Sequence, residues 1–292
     1  PICSGANAVF TITGTPNATV TYSINSGANA TVVLNASGSG TVTVTGATAN
    51  QTITLSNISL GSCSSTLTNS TTITVTPNPT VTALTSNSPI CSGANAVFTI
   101  TGTPNATVTY SINSGANATV VLNASGSGTV TVTGATANQT ITLSNISLGS
   151  CSSTLTNSTT ITVTPNPTVT ALTSNSPICS GANAVFTITG TPNATVTYSI
   201  NSGANATVVL NASGSGTVTV TGATANQTIT LSNISLGSCS STLTNSTTIT
   251  VTPNPTVTAL TSNSPICSGA NAVFTITGTP NATVTYSINS GA

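Results

Sequence analysis

The chain has 292 residues and no Lys, Arg, Asp, Glu or His, so its formal net charge of zero reflects absent charges rather than balanced ones. That removes the usual proton-transferring groups, the imidazole and carboxylate metal ligands, and the cations that bind nucleic-acid phosphates. Ser and Thr are abundant, but nothing present activates one as a nucleophile, and the expectation is a protein that is not an enzyme and binds no metal, cofactor or nucleic acid.

The elements recur with a fixed period. PICSGANAVFTITGTP begins at Pro1 and returns at Pro89, Pro177 and Pro265, a spacing of 88 residues. Three whole repeats and 28 residues of a fourth make up the chain, which reads as a window cut from a longer array. A unit of this size suits one β-sandwich core and exceeds most solenoid repeats, so each repeat is expected to be a domain.

Within the first repeat, seven alternating runs sit between turn signals. They cover 8–14, 18–25, 30–35, 41–46, 51–60, 66–76 and 80–86. Phe10 and Ile12 share one face, as do Val20, Tyr22 and Ile24, then Val32 and Leu34, then Val42 and Val44. Their neighbours are mostly Thr, which favours strands while showing water a hydroxyl. In QTITLSNISL the apolar phase slips between Leu55 and Ile58, which predicts a bulge near Ser56–Asn57. No window has a helical period. The fold class is therefore all-β, with tandem immunoglobulin-like sandwiches of about seven strands.

The prolines of TPNPT, 76–80, predict a short stiff linker. Strand 80–86 then belongs to the domain that follows it. The expected domains are 1–77 (lacking its first strand), 78–165, 166–253 and the partial 254–292, strung as a rod.

Each full repeat carries two cysteines. Cys3, Cys91, Cys179 and Cys267 precede the second strand, and Cys63, Cys151 and Cys239 precede the last. Without a reactive setting, this spacing reads as disulfides formed in an oxidising compartment. Five predicted strands separate Cys3 from Cys63, which places them at opposite ends of one sandwich, whereas a disulfide needs Cα atoms within about 7 Å. The favoured pairing is therefore between domains, Cys3–Cys151 and Cys91–Cys239. The alternative is within domains: Cys3–Cys63, Cys91–Cys151 and Cys179–Cys239.

Asn-X-Ser/Thr sequons are dense. They fall at Asn17, Asn29, Asn35, Asn50, Asn57 and Asn69 in the first repeat. The second holds Asn105, Asn117, Asn123, Asn138, Asn145 and Asn157; the third holds Asn193, Asn205, Asn211, Asn226, Asn233 and Asn245; and Asn281 lies in the fourth. In a chain this rich in Asn, Ser and Thr, such triplets also arise by chance. An uncharged Thr/Val surface is nevertheless prone to edge-to-edge β-association, and covalent sugar offers protection without charge. Glycans are expected foremost at Asn17, Asn29, Asn35 and Asn50, with O-linkage to Ser and Thr as a second route. The Thr-x-Thr rows read as solvent faces of twisted strands rather than ice-binding arrays. Tyr22 reads as core rather than as a sugar-stacking platform.

The PICSGANAVFTITG opening, the TVTVTGATANQTITL pair and the GSC turn resemble the tandem immunoglobulin-like repeats of very large secreted or cell-surface proteins of Bacteroidetes. These are of the flavobacterial gliding-adhesin and type IX secretion-substrate type. The resemblance spans essentially the whole chain and implies a surface or secreted sandwich array with adhesion or matrix roles. The complete lack of charge departs from it. Together these readings predict a structural component of an extracellular fibre or adhesin stalk that associates with itself. The alternative is a multivalent module for carbohydrate or cells, gaining avidity from identical repeats. No insertion into a membrane is expected within this stretch.

Overall fold

The computed structural model describes residues 1–289. It divides into two compact units that meet at Thr164 and Pro165. The described secondary structure is all strand.

In the first unit, the first repeat forms β1 (Ile2–Cys3), β2 (Ala8–Thr13), β3 (Thr19–Ile24), β4 (Ala30–Val33), β5 (Ser39–Val44), β6 (Gln51–Leu60), β7 (Cys63–Thr66), β8 (Ser70–Ile73) and β9 (Val75–Thr76). The second forms β10 (Val81–Ser86), β11 (Ile90–Cys91), β12 (Ala96–Gly102), β13 (Thr107–Ile112), β14 (Ala118–Val121), β15 (Ser127–Val132), β16 (Gln139–Leu148), β17 (Cys151–Thr154), β18 (Ser158–Ile161) and β19 (Val163–Thr164).

The second repeat is a complete sandwich. One sheet has the order β10-β12-β15; the other runs β14-β13-β16-β17, with β18 also on β16. The short β11 pairs parallel with β19. Three strands against a larger antiparallel sheet, with a parallel pair near the start and end of the domain, is the immunoglobulin-like arrangement. Alternation supplies the core: Phe98, Ile100, Val108, Leu122, Ile141, Leu143, Ile146 and Ile161 are fully buried, with Val81, Leu84 and Tyr110 packed against them.

Turns follow from a few residues. Asn25 and Ser26 both have positive φ, and Gly27 N–H donates to the Ile24 carbonyl at 2.8 Å, as a type I′ turn requires. Gly38 has φ +75°, and a Cβ there would overlap the Gly14 carbonyl. No larger residue fits that corner.

The run expected as one strand over 66–76 is instead broken. β7 pairs with the end of β6 and β8 with its beginning. The break faces the bulge: β3 skips Ser56 in its pairing with β6, Leu67 N–H donates to the Ser56 carbonyl, and Leu55 N–H donates to the Asn69 carbonyl. A bulge bends the strand that carries it and disrupts the ladder there, so a neighbour pairs with the two halves of β6 separately. The parallel pair β1–β9 has no periodic signal in the sequence, because each strand has only two residues.

In the second unit, residues 178–251 form a core of the same composition, and Val169–Ser174 pairs with Ala184–Gly190 as β10 does with β12. Val257–Ser262 pairs antiparallel with Phe274–Gly278. Leu260, Phe274 and Tyr286 there are exposed.

Candidate functional site: a bridged domain junction and its sequon surface

The first unit holds the chemistry that distinguishes this chain, at the junction of its two repeats. Cys3, on β1, is bonded to Cys151, on β17, with Cα atoms 5.4 Å apart across 148 residues of sequence. The partners belong to different sandwiches. Cys3 is half-buried and Cys151 buried. Ser150 Oγ lies 4.0 Å from Cys3 Sγ.

Pairing within a domain is absent. Cys63 and Cys179 are free, and Cys151 is taken by Cys3, so Cys3–Cys63, Cys91–Cys151 and Cys179–Cys239 are not formed. The reason is distance. Cys3 pairs with Thr76, and the next turn's Gly5 N–H donates to the Ala47 carbonyl, at the end where β6 begins. Cys63 pairs with Leu60, at the far end of that ten-residue strand. At the usual rise this is about 30 Å away. Cys91 and Cys239 are also disulfide-bonded, and Cys267 is free.

The linker is clamped from both sides. Asn78 Nδ2 donates to the Ser4 carbonyl of the first repeat at 3.1 Å. Ser153 Oγ of the second repeat donates to the carbonyl of buried Pro79 at 2.8 Å. Within the second unit, Asn254 Nδ2 donates to the Ser180 carbonyl at 3.1 Å and Ser241 Oγ to the Pro167 carbonyl at 2.7 Å. A two-proline linker is stiff in itself, and these bonds fix its direction relative to its neighbours. The prolines alone pointed to stiffness. Asn78, the central residue of TPNPT, was the unread signal for the clamp.

The sequon asparagines lie on the surface, with one class as the exception. Asn17, Asn29, Asn35, Asn50 and Asn69 and their copies are exposed, as is Asn281. Asn57, Asn145 and Asn233 are half-buried. Asn57 sits mid-sheet on β6, opposite Thr21 on one side and Thr66 on the other. Asn17 adopts φ 61°, a left-handed turn conformation that Asn tolerates better than most residues.

Side-chain bonding separates the two kinds of asparagine. Outside the sequons, Asn25 Nδ2 donates to Gln51 Oε1, Asn87 Nδ2 to the Asn95 carbonyl, and Asn78 Nδ2 to Ser4. Among the described residues no sequon amide nitrogen donates to the fold. Where a sequon side chain is engaged, its oxygen accepts. Asn35 Oδ1 takes Ser37 N–H, Ser37 O–H and Ser39 N–H at 3.0, 2.7 and 2.9 Å. Asn50 Oδ1 takes Val75 N–H at 2.8 Å.

Tyr22 and Ile24 pack against the first core, as their parity requires. An apolar groove beside β2, lined by Phe10, Ile12, Ile53, Ile58, Leu67 and Ile73, corresponds to the place that β10 fills beside β12 in the second repeat. It is a strand site rather than a ligand cavity. Among the described residues no three His, Cys, Asp or Glu side chains gather, and no helix is long and apolar enough to cross a membrane.

No protein family and no curated protein matches the chain by sequence. Solved structures with similar folds include a marsupial T cell receptor, at 9% identity and TM-score 0.40 over 86% of this chain and 98% of that one. The I9–I11 tandem from titin aligns at 12% identity and TM-score 0.32, over 87% and 95% of the two chains. The D1–D4 ectodomain fragment of ICAM-5 aligns at 13% and 0.34, over 89% and 76%.

Proposed function

We propose that this chain is a structural segment of an extracellular or cell-surface fibre or adhesin stalk, with no catalytic role. The observation that carries the reading is the Cys3–Cys151 bond, which joins neighbouring domains rather than the two halves of one. A disulfide inside a sandwich stabilises that sandwich. One between sandwiches resists bending and pulling at the junction, where a tandem array is otherwise weakest. The clamped linker serves the same end.

Structural disulfides belong to oxidising compartments, which supports an extracellular or cell-surface setting. Uncharged, Thr-rich faces need a covering in water, so the fibre carries covalent glycans and is a glycoprotein. Its main partner is itself, along the fibre. The bacterial surface-adhesin type fits the repeat motifs best.

Electron microscopy of the full chain, oxidised and reduced, tests the proposal. The expected result is a straight particle that becomes bent and variable after reduction, with no binding to a carbohydrate array. A chain equally variable before and after reduction, or one that binds a defined glycan or cell surface, overturns it. The latter outcome would support the multivalent binding module instead.

A further inference from the structure

We infer that β4 and its copies are guarded by N-linked oligosaccharides at the sequons on either side, Asn29 and Asn35 in the first repeat. This rests on the reading of the chain as a glycoprotein and specifies where the sugar acts. β4 ends its sheet: among the described residues it pairs with β3 and with no strand beyond. Such an edge presents unpaired backbone groups to any other chain. Proteins usually protect it with Lys, an inward charge or Pro, and β4 has none of these in Ala-Thr-Val-Val. It also carries the most exposed Val of its repeat, since Val33, Val121 and Val209 are each 64% exposed. That uncharged edge with its exposed Val is open to lateral pairing.

The two sequons bracket that strand. Asn29 directly precedes β4, and Asn35 follows it by two residues. Both are exposed, and neither amide nitrogen is committed to the fold. The Asn35 oxygen is held by three donors from Ser37 and Ser39, which leaves Nδ2 as the free end of a fixed amide. In the modification, Nδ2 forms a bond to the anomeric carbon of an activated glycosyl phosphate donor. The phosphate leaves with the electrons of the old anomeric bond, and the amide loses one proton. A hydrated oligosaccharide at each end of a four-residue strand covers its length and keeps a second sheet from approaching.

The test uses the full chain made in its native host. Cleavage after Tyr22 and Leu34 yields peptide 23–34, whose one sequon is Asn29, and the same peptide arises from every full repeat. Mass spectrometry should find hexose-type additions on it. A variant with Thr31, Thr119 and Thr207 changed to Ala should lose that mass and show a several-fold rise in light scattering from lateral bundles. Changing the same residues to Ser keeps the sequon, and that variant should retain both sugar and dispersion. An unmodified 23–34 peptide overturns the inference, and sugar elsewhere would then leave the glycoprotein reading intact. No sugar on any peptide overturns both. A Thr→Ala variant that loses sugar and stays dispersed, or a Thr→Ser variant that bundles while still glycosylated, also overturns the guarding role.

Discussion

The first and second repeats share one sequence over 76 residues and differ in what lies beside them. In the second, β10 closes the smaller sheet, and Phe98, Ile100, Leu143, Ile146 and Ile161 are fully buried. In the first, Phe10 and Ile12 keep a little exposure, while Leu55, Ile58 and Ile73 are only half-buried around an open groove. Cys63 is exposed and free, whereas its equivalent Cys151 is buried and bonded. The lesson is that the domain does not start where the conspicuous PICSG motif starts. The strand that completes the sandwich precedes it, and the bond that ties the sandwich down comes from the neighbouring domain.

The largest expected effect comes from cutting the aromatic at the centre of each core. Phe98→Ala should destabilise the second domain by about 3–5 kcal/mol, as large-to-small changes at fully packed sites do. Val121→Ala, on the exposed edge of the same domain, should stay within about 0.5 kcal/mol of the parent. Urea unfolding of each full-length variant, followed by far-ultraviolet circular dichroism, measures the two. Equal losses would mean that Phe98 does not anchor the core in which it is buried.

Much of this is legible in the sequence. The strands, their buried faces and the Ser56 bulge follow from Val, Ile and Leu alternating with Thr, since strand periodicity and burial are one signal. The position of 80–86 followed from the prolines before it. The split of 66–76 was not legible. It depends on which part of β6 each segment faces across the bulge, and that is a relation between distant residues. The same holds for Asn57, whose sequon resembles the others until its place in the middle of a sheet is known. Strand counting placed Cys3 and Cys63 apart, but the hydrogen bonds that hold the junction have no period to read.

A smaller effect should separate the two cysteine environments. Cys3→Ser frees Cys151, so titratable thiols should rise from three to four. Stability should fall by about 2–4 kcal/mol, the usual range for losing a disulfide. Cys63→Ser removes a free thiol, lowers the count to two and should change stability by no more than about 0.5 kcal/mol. Thiol titration of the folded and the denatured chain gives the counts. If the denatured parent gave five thiols and Cys3→Ser lowered that count to four, the junction bond would be absent in solution.

The smallest difference concerns one hydroxyl. Ser153 and Ser65 are equivalent by repeat, but only Ser153 Oγ has the buried Pro79 carbonyl to bond, at 2.8 Å. Ser153→Ala strands that carbonyl without a donor, which should cost about 1–2 kcal/mol. Ser65 is exposed, and Ser65→Ala should stay within about 0.5 kcal/mol of the parent. Ser153→Thr keeps a donor at the same position and should recover part of the loss. The same urea unfolding reads all three. Because the bond runs from a domain to the linker ahead of it, a loss confined to Ser153→Ala would show that the junction stabilises the sandwich as well as directing the chain. Equal behaviour of the two serines would reduce the clamp to a passive contact and leave the disulfide to hold the domains in line by itself.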